Sequence, residues 1–381
     1  MATVELHQVS KTFGKVRALS ELTLSIADGE FFALLGPSGA GKTTTLKSVA
    51  GLSDVDSGRV VIAGHDVTDV EPYNRNVAMA FESYALYPQK TVFENLASPL
   101  LSERTAKYSD AERTERIDKV TKTLGINHLL KRFPRELSNG QRQRVALGRV
   151  LVRPADVYLL DEPLSHLDAK LRATMRAELK SLGEMSGTTT LYVTHDYQEA
   201  LALGQRIGVL REGRLVQVGT PEDIWLRPVD SFVAKALGQP EINMLEATVS
   251  DGRLSAAGGA VEMGAPSSLG LAAGDRVRLG LRPRDMELAE EGRGGEGWLS
   301  MSGKVRLAER LGRLVELSVD VGGTEIVAVT SSERAADEGD QVTLQIPLAL
   351  VHIFKGGAPD EDTPRLGAAS PGAAPTPTES R

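Results

Sequence analysis

The stretch Gly36-Pro37-Ser38-Gly39-Ala40-Gly41-Lys42-Thr43 decides how this chain folds. It follows the apolar run Phe31 to Leu35 and leads into Thr43 to Leu52, which is compatible with a helix. The spacing G-x-x-x-x-G-K-[ST] between a strand and a helix is that of a loop cradling phosphates. Its glycines turn successive backbone N–H groups toward an anion, and the helix N-terminus adds its dipole. Lys42 supplies a point charge for the β- and γ-phosphates, and Thr43 supplies a hydroxyl for magnesium.

A phosphate loop alone indicates only a nucleoside triphosphatase. Val157-Tyr158-Leu159-Leu160-Asp161-Glu162 narrows the choice, because four strand residues end in paired carboxylates. Asp161 suits the magnesium shell and Glu162 suits activation of the attacking water.

Outward from these motifs, residues 4 to 237 alternate short apolar strands with helical stretches, the pattern of a buried parallel sheet. Between about 91 and 150 the chain turns helical and charged, as in AERTERIDKVTKTLGI, which predicts a helical insert. After Pro240 the texture becomes short period-two runs such as RLVELSVDV, separated by glycine turns, which predicts small β-barrels. We place the second domain at 238 to 355. The last 26 residues hold five of the 18 prolines and no aromatic, so 356 to 381 reads as a disordered tail.

Composition limits the function classes. With 381 residues the chain has room for two or three domains. Its 44 basic and 51 acidic side chains give a net charge of -7, against a broadly basic nucleic-acid binder. Cysteine is absent, which excludes disulfide frameworks, zinc ribbons and thiol nucleophiles. No apolar run reaches the ~18 residues of a spanning helix. The N-terminus, MATVELHQVSKTFGKV, is too polar for a signal peptide, and the reading is a cytoplasmic protein.

Leu137-Ser138-Asn139-Gly140-Gln141 resembles the LSGGQ signature of ATP-binding-cassette ATPases, its serine 23 residues before Asp161. Ser165-His166-Leu167-Asp168 resembles that family's D-loop, and Thr194-His195-Asp196 falls where its switch histidine follows a strand. The resemblance extends over residues 1 to 355 to the ATPase subunits of sugar and polyol importers, through SYALYP at Ser83 to Pro88, GTPEDIW at Gly219 to Trp225 and LGLRPRD at Leu279 to Asp285. It implies an α/β P-loop cassette with a helical insert, followed by an all-β regulatory domain of the TOBE or OB-like barrel type.

The resemblance also implies roles. Phe13 would stack on adenine, and Ser38, Gly39, Gly41, Lys42, Thr43 and Thr44 would surround the phosphates. Thr43, Asp161 and Glu82 would serve magnesium, Glu162 would be the catalytic base, and His195 would contact the γ-phosphate. Ser138, Gly140 and Gln141 would reach the ATP held by a second cassette, with Asp168 linking the two sites. The implied partners are that second ATPase chain, two integral membrane permease subunits beside Tyr84 and Tyr87, and, indirectly, an extracytoplasmic solute-binding protein. Nucleic acid is not among them, and the implied location is the cytoplasmic face of the inner membrane.

Three positions depart from the family pattern: Glu82 for glutamine, Asn139 for glycine and His166 for asparagine. An ionised Glu82 loses a donor and brings negative charge near triphosphate. Asn139 either crowds the γ-phosphate or takes up the left-handed backbone that asparagine tolerates. These departures raise a hypothesis of pairing with a non-identical cassette. Two alternatives stay open beside the carbohydrate importer: a partner cassette of low activity that acts as an ATP-gated switch, and an importer ATPase for polyamine, phosphate ester or iron.

Overall fold

The computed structural model describes residues 2–81, 86–101, 108–165, 167–289, 297–334, 336–358 and 360–369. The chain forms two compact units, Met1–Ile224 and Trp225–Arg381.

In the first unit β1 (Val4–Phe13) and β2 (Val16–Ile26) make an antiparallel hairpin, and β3 (Phe31–Leu35) runs into α1 (Lys42–Ala50). β4 (Ser57–Ile62) and β5 (His65–Asp66) complete a sheet of order β2-β1-β4-β5. After β6 (Val77–Ala80) come three helices, α2 (Val92–Ala97), α3 (Asp110–Thr123) and α4 (Asn139–Leu151). Then follow β7 (Val157–Asp161), α5 (Ala169–Ser186), β8 (Thr189–Thr194), α6 (Tyr197–Leu203), β9 (Arg206–Arg211) and β10 (Arg214–Gly219). The second sheet has the order β10-β9-β3-β8-β7-β6, parallel from β9 to β6.

The central strands β3, β7 and β8 are buried at every position. A strand covered on both faces has no wet side, so it reads as an unbroken apolar run and not as an alternation. The helical insert expected at 91 to 150 is present, and its helices start on capping boxes, Thr91 with Glu94, Ser109 with Glu112 and Ser138 with Gln141. One expectation needs correction: β1, β2, β4 and β5 do not join the parallel sheet. The turn between β1 and β2 holds only Gly14 and Lys15, too short for the crossover a parallel pair requires. The two sheets close over one core in which Val4, Leu6 and Val9 meet Leu34, Leu159 and Val193.

The helix α7 (Pro221–Leu226) starts on the expected cap, with Thr220 Oγ1 accepting from the Asp223 N–H at 3.1 Å. The second unit continues with α8 (Ser231–Lys235), and its other elements among the described residues are β-strands and short 3-10 turns. The strands β11 (Asn243–Ser250), β12 (Arg253–Ala256), β13 (Val261–Gly264) and β14 (Arg276–Leu281) come first. They are followed by β15 (Glu287–Leu288), β16 (Trp298–Leu311), β17 (Leu314–Val321), β18 (Thr324–Ser331), β19 (Gln341–Pro347), β20 (His352–Lys355) and β21 (Arg365–Ala368). They build two antiparallel sheets, β13-β12-β11-β14-β20-β21 and β15-β19-β16-β17-β18. The inward residues of both, among them Leu279, Ile353, Leu317 and Ile346, share one core. In β17 every second side chain, Val315, Leu317, Val319 and Val321, is fully buried, the period-two pattern legible in the sequence.

Two boundaries differ from the sequence reading. The packing divides after Ile224, not at Leu237, because α8 is held by the second unit: the Arg282 guanidinium donates to the carbonyls of Ala234 and Leu237, and the Ser231 N–H donates to the Thr363 carbonyl. The expected disordered tail is in part a strand, since β21 pairs with β20. An edge strand takes its hydrogen bonds and its apolar cover from a neighbour, so a proline-rich composition does not forbid it. Residues 370 to 381 lie outside the described residues. No helix among the described residues is long and apolar enough to cross a membrane.

Candidate functional site

The loop after β3 is shaped by its glycines. Gly41 caps α1 with φ +104, and a Cβ there would strike the Ala18 carbonyl. Gly39 also has a positive φ, +79, and open space on its Cβ side. These backbone angles are the ones L side chains avoid. Because Gly41 has no side chain to cap α1, the first N–H groups of the helix remain available to an anion.

Lys42 is buried, and its Nζ donates to the carbonyls of Gly36 at 2.9 Å and Pro37 at 3.0 Å, curling over the loop it belongs to. The Nζ also lies 3.5 Å from Glu162 Oε1. Thr43 Oγ1 donates to Asp161 Oδ1 at 3.1 Å, joining the first turn of α1 to the end of β7. Glu162 has a positive φ of 45° while its N–H is bonded to the Val193 carbonyl at 3.0 Å. That turn carries its carboxylate off the sheet line, and Oε2 sits 2.8 Å from His195 Nδ1. Lys42, Thr43, Asp161, Glu162 and His195 therefore form one cluster at the carboxyl ends of parallel strands, where open α/β sheets bind ligands.

The other expected residues are placed separately. Ser138 and Gln141 form the capping box of α4: Gln141 Oε1 accepts from the Ser138 N–H at 2.9 Å, and Ser138 Oγ accepts from the Gln141 N–H at 3.3 Å. A Cβ on Gly140 would come within 3.1 Å of Leu167 Cδ2, so the signature lies against the loop after β7. Asp168 caps α5, accepting from the Leu171 N–H at 2.9 Å. Asn139 opens α4 as its first helical residue and is exposed, so the left-handed backbone considered for it is not adopted. A first helical position requires no positive φ, and glycine is not needed there.

Phe13 is half exposed at the end of β1, with Lys11 Nζ 5.5 Å from its ring centroid. It is not a core aromatic. Tyr87 borders an open groove of about 290 Å³ lined also by Met79, Phe81, Pro99 and Arg149, whose guanidinium lies 4.7 Å from the Tyr87 ring. Glu82, Tyr84 and His166 lie outside the described residues.

Sequence reasoning missed several polar residues. Arg75 is buried and donates to the carbonyls of Ser48, Val49, Thr68 and Val70, closing the last turn of α1. Glu199 is buried on α6 and accepts from Tyr192 Oη and Thr194 Oγ1, both at 2.8 Å; burial raises its pKa above the usual carboxylate range. Arg172 on α5 reaches both the loop after β7 and Asp196. In sequence each is one more charge on a mixed helix or loop.

The ABC transporter family matches residues 19–165, and the TOBE domain matches residues 279–354. The trehalose/maltose import ATP-binding protein MalK of Thermococcus litoralis is 42% identical over 93% of this chain and 98% of its own length. The xylose/arabinose import protein XacK of Haloferax volcanii is 40% identical over 94% and 95%. The sn-glycerol-3-phosphate import protein UgpC of Yersinia pseudotuberculosis is 40% identical over 93% and 97%. Among solved structures, the ATP-binding cassette MJ0796 in a post-hydrolysis dimer with ADP and Pi superposes with a TM-score of 0.53 at 31% identity, over 57% of this chain and 98% of that one. A phosphate loop joined to a paired acid and histidine, followed by a TOBE domain and matched along nearly its whole length by import ATP-binding proteins, places this chain in the ABC transporter family as an import ATPase subunit that binds ATP.

Proposed function

We propose that this subunit energises import of a carbohydrate or polyol-type solute by hydrolysing ATP between its own phosphate loop and the signature of a second cassette. The import proteins for maltose, xylose and glycerol phosphate that it resembles support the solute class. The observation that carries hydrolysis is the contact of Glu162 with both His195 and Lys42 at the mouth of the loop.

Each group has a task set by its surroundings. Lys42 exchanges its carbonyl acceptors for β- and γ-phosphate oxygens, and the free N–H groups of α1 take the remaining charge. Glu162 accepts the proton of the attacking water, and His195, bonded to its carboxylate, orients it and faces the γ-phosphate. Phe13 offers an exposed π face to adenine. Thr43 and Asp161 place two hard oxygen donors together, a set that suits magnesium and leaves most of its shell to water and phosphate. Bound there, magnesium would neutralise charge developing on the phosphate oxygens.

Ser138 and Gly140, at the start of α4, present a hydroxyl and a backbone N–H for the ATP of the second cassette, a copy of this chain or a related one. The groove beside Tyr87 suits a cytoplasmic segment of a membrane permease subunit, which would hold the protein peripherally at the inner face of the membrane. The low-activity alternative is less favoured, because Glu162 already contacts both Lys42 and His195.

The test is Glu162→Gln in the full chain, expressed in its host and held with ATP and magnesium. Hydrolysis falls by about a thousandfold while nucleotide stays bound, and mass spectrometry of the detergent extract finds two permease subunits. Undiminished hydrolysis would refute the role of Glu162, and extraction without any membrane subunit would refute the importer assembly.

A further inference from the structure

We infer that Arg172 is a positioning residue that ties the loop supporting the signature half-site to the switch histidine of the same chain. This rests on the reading of Glu162 and His195 as the hydrolytic pair and of Ser138 and Gly140 as the half-site for a second ATP.

Arg172 stands one turn after the Asp168 cap of α5. One terminal nitrogen donates to the carbonyls of Leu167 at 3.0 Å and Ser165 at 3.3 Å. The other donates to Asp196 Oδ2 at 3.3 Å, and Nε lies 3.9 Å from Glu199 Oε1. One guanidinium thus holds the loop after β7 to the residue that follows His195, beside the direct contact of Glu162 with His195. A lysine has no planar fork with which to serve two carbonyls on one side and a carboxylate on the other.

Both ends of this link lead to the chemistry. At one end the Leu167 side chain, nearly fully buried, lies against Gly140, so a shift of the signature displaces the loop whose carbonyls Arg172 grips. At the other end Asp196 directly follows His195. Its N–H donates to Thr194 Oγ1 at 2.9 Å, and its Oδ1 caps α6 by accepting from the Gln198 and Glu199 N–H groups. Thr194 Oγ1 in turn donates to the buried Glu199. His195 is therefore flanked by two residues fixed in one network, with its exposed ring left to meet Glu162. Occupation of the signature by the second cassette's ATP reaches His195 through Leu167, Arg172 and Asp196, and sets the ring against Glu162 for hydrolysis after the sandwich has closed.

The experiment compares Arg172→Ala, Asp196→Asn and the double variant in the full chain. Asp196→Asn retains the cap oxygen for α6 and puts an amide NH2 in place of the charged acceptor facing Arg172, so it cuts the same link and remains informative even where Arg172→Ala folds poorly. Phosphate release gives kcat and KM, and light scattering in a Glu162→Gln background gives ATP-driven dimerisation. Arg172→Ala lowers kcat by about tenfold to a hundredfold, with KM and dimerisation within about twofold of the parent. The double variant is no slower than Arg172→Ala alone, because both changes cut one link. Parent-like kcat in Arg172→Ala, a proportional loss of dimerisation, or effects that multiply would overturn the coupling. If Glu162→Gln itself fails to dimerise with ATP, pairing with a second copy of this chain falls, and the coupling within such a pair falls with it.

Discussion

Both units bury cations against backbone carbonyls, and they use them differently. In the second unit Arg282 is almost fully buried, stacks on Trp225 at 4.1 Å and donates to the carbonyls of Trp225, Ala234 and Leu237. Arg278, equally buried, serves Glu246 and the carbonyls of Gly357, Ala358 and Glu361. These planar forks hold several segments at fixed distances, which is a structural use of charge. In the first unit Arg75 serves the same structural use, whereas Lys42, also buried, is a rotatable point charge on a loop with open space at Gly39, and the acid beside it has a histidine as its second partner. Burial of a charge is therefore a poor sign of function by itself. What distinguishes the site is a cation whose acceptors can be exchanged.

The largest effect should come from breaking the first member of this comparison. Lys42→Ala lowers ATP hydrolysis by roughly a thousandfold, while calorimetry shows unfolding within a few degrees of the parent, because residues 37 to 39 of the loop are exposed and water can enter the space the side chain leaves. A large loss of thermal stability would make Lys42 a structural cation like the arginines.

Arg282→Leu should do the reverse. It removes the guanidinium from the carbonyls of Trp225, Ala234 and Leu237 and destabilises the second unit by about 3 to 5 kcal/mol, read as a lowered transition in calorimetry. Hydrolysis measured below that transition remains within about twofold of the parent. A turnover defect with unchanged stability would contradict the structural assignment.

The smallest effect is one of pH. His352 on β20 accepts from Arg365 Nε at 3.3 Å, and its pKa is lowered to about 3 by burial first and by Arg282 and Arg365 next. The folded state keeps this ring neutral where the unfolded chain, with an ordinary value near 6.5, binds a proton. Stability of the second unit is therefore full above about pH 6.5 and declines as pH falls toward 3, by roughly 3 kcal/mol at pH 4. His352→Gln removes the titration and flattens the acid limb of a denaturation series. An unchanged slope would place the acid sensitivity elsewhere.

Legibility followed sequence distance. The phosphate loop, the β7 carboxylates and the α4 cap were readable because each needs its residues side by side, with one local backbone shape. The contact between Glu162 and His195 joins residues 33 apart, and that between Thr43 and Asp161 joins residues 118 apart. Motif order announced those pairs, but only folding supplied their distances. Arg172 and Arg75 gave no signal at all, and Arg282 stood out only as part of LGLRPRD, because an arginine looks the same in sequence whether it meets water or several carbonyls.

The sequence by itself determined the nucleotide chemistry, the helical insert and the all-β character of the second half, since these depend on local spacing and on period-two or fully apolar runs. Tertiary structure alone decided the separate antiparallel sheet of β1, β2, β4 and β5, the division at Ile224 and the pairing of β21 with β20. Each of these depends on a partner that is remote along the chain. An edge strand, a buried guanidinium or a closing sheet is stabilised by what the rest of the fold brings to it, and local composition carries no record of that.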